Sequence, residues 1–65
     1  MASQSEINRV QNEIEKKNKS WWQQMADNIN AFNNWLKSII DAYSLSGDVI
    51  NLASQFISYI RGLLG

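Results

Sequence analysis

Between Trp22 and Tyr43 apolar side chains return every three or four positions, at Trp22, Met25, Ile29, Phe32, Leu36, Ile39 and Tyr43. That spacing gathers them on one side of a helix of 3.6 residues per turn and predicts a long apolar seam. Upstream the pattern thins. Ile7, Val10 and Ile14 keep the same spacing, but seven of the chain's twelve charged residues lie between Glu6 and Lys19, so this segment offers only a narrow stripe. Ala31, Trp35, Ile40 and Ala42 widen the central helix towards a second side. Downstream, Val49 to Leu64 holds ten apolar residues in sixteen, and Asn51, Ser54, Gln55, Ser58 and Arg61 form only a thin polar strip. A helix apolar around most of its circumference expects more than one neighbour.

The element boundaries follow from local chemistry. Ser3 and Glu6 have the spacing of a capping box, in which each side chain bonds the other residue's amide and opens a helix. Neither Gly nor Pro occurs before Gly47, so the pattern predicts one helix over about 4–43. Ser20 with Gln23 forms a second capping box and is the one place where a break is expected. Asn28, Asn30, Asn33 and Asn34 are poor helix formers, read here as amides on the face away from the seam. Residues 44–48 read as a turn, with Gly47 supplying a positive φ and Ser46 or Asp48 capping a helix over about 49–64. The expected fold class is therefore all-α, a helical hairpin in a single domain spanning 1–65.

Length decides what such a hairpin needs. An unbroken helix of residues 4–43 spans about 60 Å, whereas a compact chain of 65 residues has a radius of gyration of about 11 Å. A rod of that length predicts a coiled-coil or helical-bundle homo-oligomer; a break at Ser20 allows a three-helix monomer instead. Small chains bury only about 60% of their unfolded surface. With no cysteine and no histidine, disulfides are excluded and a structural metal is not expected, which leaves oligomerisation or a membrane surface as the source of added stability. The expected self-association surface is Trp22, Met25, Ile29, Phe32, Leu36, Ile39 and Tyr43 on the long helix, with Val49, Leu52, Phe56, Ile60 and Leu63 on the returning one.

Charge and candidate chemistry narrow the function classes. Six acidic and six basic residues sum to zero, which argues against nucleic acid and other polyanions as partners. Lys16, Lys17 and Lys19 stand just before Trp21 and Trp22, the one local electrostatic feature. Three readings apply: a solvated helix end with the indoles capping a core or subunit contact, an interfacial anchor on anionic lipid, or stacking on single-stranded nucleic acid, the weakest at zero net charge. Histidine and cysteine are missing, the acids do not converge and no glycine-rich phosphate loop exists, so no enzyme activity, cofactor or metal is expected.

The start, MASQSEINRV, lacks the basic and apolar regions of a secretory signal. Asn18-Lys19-Ser20 matches a glycosylation acceptor and is read as chance, and no apolar run reaches the roughly 18 residues of a spanning helix. The expected location is cytoplasmic, or exported without a cleavable signal. The function these features predict is a non-enzymatic structural or interaction protein that self-associates through apolar helix faces. Two alternatives stand beside it: a membrane-active amphipathic peptide of the phage-lysis or pore-forming type, and a small accessory subunit that docks a helix on a larger protein complex.

Overall fold

Ser3 opens the first helix as its spacing predicts: its Oγ accepts from the Glu6 amide at 3.3 Å, and the Glu6 carboxylate accepts from the Ser3 amide at 2.9 Å. The computed structural model describes residues 2–65. Four α-helices follow one another, α1 at Gln4–Glu15, α2 at Lys19–Asp27, α3 at Ile29–Tyr43 and α4 at Ala53–Leu64, with a 3-10 helix, η1, at Gly47–Leu52 before the last. The chain is all-helical, with no strand among the described residues.

The single helix expected over 4–43 is interrupted twice, and both interruptions are made by asparagine. At the first, Asn18 is extended (φ −88°, ψ 170°) and its Oδ1 accepts from the Trp21 amide at 2.8 Å. The break expected at Ser20 therefore falls two residues earlier. At the second, Asn28 closes α2 and opens α3 within one residue: its amide donates to the Met25 carbonyl and its Oδ1 accepts from the Ala31 amide at 3.1 Å. Asparagine competes with the helix for its own backbone bonds and is among the strongest N-caps. The same residue type that weakens a helix interior thus relocates the helix start. Two corners fold the predicted rod into pieces short enough for one globule.

The turn after α3 also differs in detail. Ser44, not Gly47, takes the left-handed conformation (φ 54°, ψ 44°), and the Leu45 amide reaches back to the Ile40 carbonyl at 2.9 Å. That long back-bond around a left-handed residue is a Schellman-type closure. Ser46 then caps η1 through the Asp48 amide at 3.2 Å. The returning segment expected over 49–64 begins as this 3-10 turn and becomes α-helical only at Ala53.

Every element sends side chains to one core: Val10 and Ile14 from α1, Met25 from α2, Phe32 and Leu36 from α3, Val49 from η1, and Phe56, Ile57 and Ile60 from α4. The radius of gyration, 10.8 Å, is that of a compact chain of this length. The accessible surface, 4044 Å², is close to the roughly 4,200 Å² of a monomeric protein of this mass. One copy closes its own core.

Candidate functional surface

The folded chain redistributes the twelve residues expected to meet another copy. Met25, Phe32, Leu36, Val49, Phe56 and Ile60 lie in the core. Trp22, Ile39, Leu52 and Leu63 are half-buried, packed around that core. Only Ile29, 49% exposed, and Tyr43, 41% exposed, face outward as large apolar side chains. The reason is the corner at Asn28. It places Ile29 in the first turn of α3 and cuts the seam between Met25 and Phe32, so the two halves of the pattern pack against different neighbours.

The Lys and Trp cluster is divided in a similar way. Trp22 turns towards α1, where its indole N–H donates to the Ile14 carbonyl at 2.8 Å and closes the end of that helix. Trp21 turns towards α3 and meets Trp35 edge-on at 5.0 Å, and Trp35 in turn lies 5.6 Å from Phe32. Lys16 pairs with Glu13, three residues before it, at 2.8 Å. Lys17 stands over the Trp21 ring at 5.7 Å, and Lys19 is exposed. The structure brings Lys17, Trp21 and Trp35 together, and separates Trp22 from them.

Two open grooves flank η1. On its α1 side a groove of about 520 Å³ is lined by Ala2, Ile7, Asp48, Asn51 and Leu52. On its α3 side a groove of about 310 Å³ is lined by Lys37, Ile40, Asp41, Gly47 and Ile50. The floors are aliphatic, from Ile7 and Leu52 on one side and Ile40 and Ile50 on the other. The rims carry charges of both signs. Only Leu52 among these belonged to the expected interface, because a groove is made where two elements meet and no single helical pattern encodes it.

Three carboxylates of α1 reach across the fold. Glu6 accepts from the Ser46 amide at 2.6 Å, Glu13 from the Tyr43 hydroxyl at 3.2 Å, and Glu15 from the Tyr59 hydroxyl. Arg9 adds its guanidinium over the Tyr43 ring at 4.6 Å. The backbone amides of Ser3 and then Ser46 hold the Glu6 carboxyl below the usual carboxylate range, since both favour its charged form. Lys16, with a smaller contribution from Tyr43, does the same for Glu13, and Glu13 raises Lys16 in return. The bond to Glu15 raises the Tyr59 hydroxyl, because an ionised phenol has no proton to donate. These are ties between elements, and they converge on no common point. No three acidic side chains lie together as a metal site among the described residues, and no described helix is long and apolar enough to cross a membrane.

Fold and surface together define a small all-helical domain with an apolar, two-grooved face. Compared with known protein families, with characterised proteins and with solved structures, the chain matches none.

Proposed function

We infer that the chain is a non-enzymatic interaction protein that works as a folded unit and self-associates through the face around η1. The observation that carries this reading is the pair of apolar grooves on either side of one 3-10 turn, with Leu52 and Ile50 pointing to opposite grooves. A second copy suits this face in its charge. Lys37 and Asp41 stand on one rim, Asp48 on the other, and the chain as a whole is neutral, so the field favours neither an acidic nor a basic partner. Aliphatic floors with charges confined to the rim are the usual anatomy of a protein contact.

Light scattering after gel filtration, in buffer without detergent, tests the reading. Self-association through this face is expected to rise with concentration and to be abolished by Leu52→Asp, which places a charge in the groove, while an unchanged helical signal shows that this half-buried position at the edge of the core tolerates the change. A wild-type chain that stays at the monomer mass at millimolar concentration would sink it. A lipid reading is favoured by one specific arrangement, Lys17 over Trp21 with Trp35 behind it, and co-sedimentation with anionic vesicles measures it directly. Binding there that Leu52→Asp leaves intact and Trp21→Ala removes would move the working surface from η1 to the α1–α2 corner.

A further inference from the structure

We propose that α1 exchanges between two copies of this chain, with residues 16–18 as the hinge, so that a second copy's α1 docks in the groove this copy's α1 now fills. The inference rests on the self-associating reading for its partner, and on separate residues for its geometry.

The hinge is barely a break. Lys16 remains right-handed helical (φ −73°, ψ −14°), and the amides of Lys16 and Lys17 still bond carbonyls of α1, those of Asn12 and Ile14, at 3.3 and 3.0 Å. Asn18 is where the backbone turns extended. From Glu15 to Lys19 there is neither Gly nor Pro, and Glu and Lys are good helix formers. Rotating Asn18 into the helical region gives up its cap on the Trp21 amide and lets its own amide bond the Ile14 carbonyl. The Lys17 amide moves from the Ile14 to the Glu13 carbonyl, and the bond from the Trp22 indole to Ile14 is given up as α1 leaves. The result is a continuous helix over 4–27.

That helix is about 36 Å long at 1.5 Å per residue, and the closed chain measures 28 Å along its longest axis. A straightened α1 therefore projects past its own body. Its apolar stripe, Val10 and Ile14, and its carboxylates then face water. The surface that matches them is the one they left, where Ser46, Tyr43 and Tyr59 bond Glu6, Glu13 and Glu15. A second opened copy presents that surface. Reciprocal exchange remakes each contact between chains and closes a two-fold dimer, an established low-cost route to association. The open state thus realises the part of the predicted long helix that lies before the Asn28 corner.

Two substitutions at the hinge push in opposite directions. Asn18→Ala removes the cap that holds the corner and suits a helix interior; losing one cap in each of two chains makes the dimer roughly 30-fold tighter. Lys19→Pro does the reverse. Proline is favoured at the first position of α2, and the extended Asn18 before it is compatible, but in a straight helix the ring collides with the Glu15 carbonyl. With the η1 grooves blocked by Leu52→Asp in every chain, light scattering is expected to show Asn18→Ala at about 15 kDa, twice the chain's 7.5 kDa, and Lys19→Pro at the monomer mass under the same conditions. In a dimer mixed from isotopically labelled and unlabelled Asn18→Ala, contacts between Tyr59 and α1 are expected to run between chains.

A monomeric Asn18→Ala at millimolar concentration, contacts that stay within a chain, or equal dimerisation of Lys19→Pro overturns the exchange. If Asn18→Ala fails to fold, Leu52→Asp with and without Lys19→Pro at millimolar concentration decides it, because neither chain can associate through the η1 grooves and only the one that keeps Lys19 can open. Leu52→Asp separates the two surfaces: it abolishes association through the η1 grooves and leaves the exchange unaffected.

Discussion

Helices α1 and α4 are each twelve residues long and lie against the same core, yet they are held by different forces. α4 buries Phe56, Ile57 and Ile60 and makes its broadest contact with α2. It has no side-chain cap at its start, and it does not need one, because burial of apolar area fixes it. α1 buries only Val10 and Ile14 and is capped, paired and tied at nearly every other turn, by Glu6, Arg9, Glu13 and Glu15. Burial is insensitive to pH and hard to undo in part, whereas polar ties can be released one at a time. The comparison predicts that α4 unfolds with the whole domain and that α1 can leave by itself.

The sharpest test is a matched pair of truncations. Ile60→Ala and Ile14→Ala each remove a fully buried side chain, and such changes cost about 2–5 kcal/mol. A domain of this size has only about 3–10 kcal/mol of stability in total. Ile60→Ala is expected at the upper end, with amide exchange accelerated throughout. Ile14→Ala is expected at the lower end, with acceleration concentrated in residues 4–15, since α1 can detach and let the rest survive. Equal acceleration in both variants would show that the two helices are one cooperative unit.

Acid should separate the helices with a smaller effect. The folded-state pKa values of Glu6 and Glu13 are depressed, so their stabilisation is fully present above the ordinary carboxyl value of 4.5 and is lost as the pH falls below it through the depressed values. Amide protection in α1, relative to the intrinsic rate, is expected to fall below about pH 4.5 before that in α4, and Glu6→Gln should flatten this dependence. Tyr59 gives the opposite limb. Its raised value means that its tie to Glu15 is intact below the ordinary phenol value of 10.0 and is lost as the pH climbs through the folded value. An α1 whose amide protection, relative to the intrinsic rate, is flat between pH 3 and 7, the range about which carboxyl groups titrate, would refute the polar-tie account.

The smallest predicted change strengthens α4. Gly62 lies within that helix, and a Cβ there meets nothing within 4 Å. Gly62→Ala is expected to add about 0.5–1 kcal/mol by restricting the unfolded chain and favouring the helix. Thermal unfolding measures this gain, and exchange in α1 should be unchanged relative to α4's own increase in protection.

The sequence pattern carried the all-helical class, the capping box at Ser3, the turn after Tyr43 and the many-sided last helix, because each of these is encoded within a few neighbouring residues. The two asparagine corners were hidden within the same pattern. Asn28 sits amid three other asparagines on a helix already marked by an apolar seam, and nothing local distinguishes an asparagine that caps from one that faces solvent. The ties from α1 were less legible still, since they join residues 30, 40 and 44 positions apart. No periodicity links such partners. The grooves around η1 share that origin, and Ile7 reaches Leu52 only through the fold.

The bond from the Trp22 indole to the Ile14 carbonyl has one more consequence. It ties a fluorophore to the end of the very helix whose departure is at issue. An indole N–H held by a carbonyl resonates well apart from one in water, and its ring emits differently once solvent reaches it. Trp35, edge to face with Trp21 and against Phe32 on α3, lies away from α1 and supplies an internal comparison. The molecule thereby contains its own optical and magnetic gauge of whether α1 is seated, with no label attached.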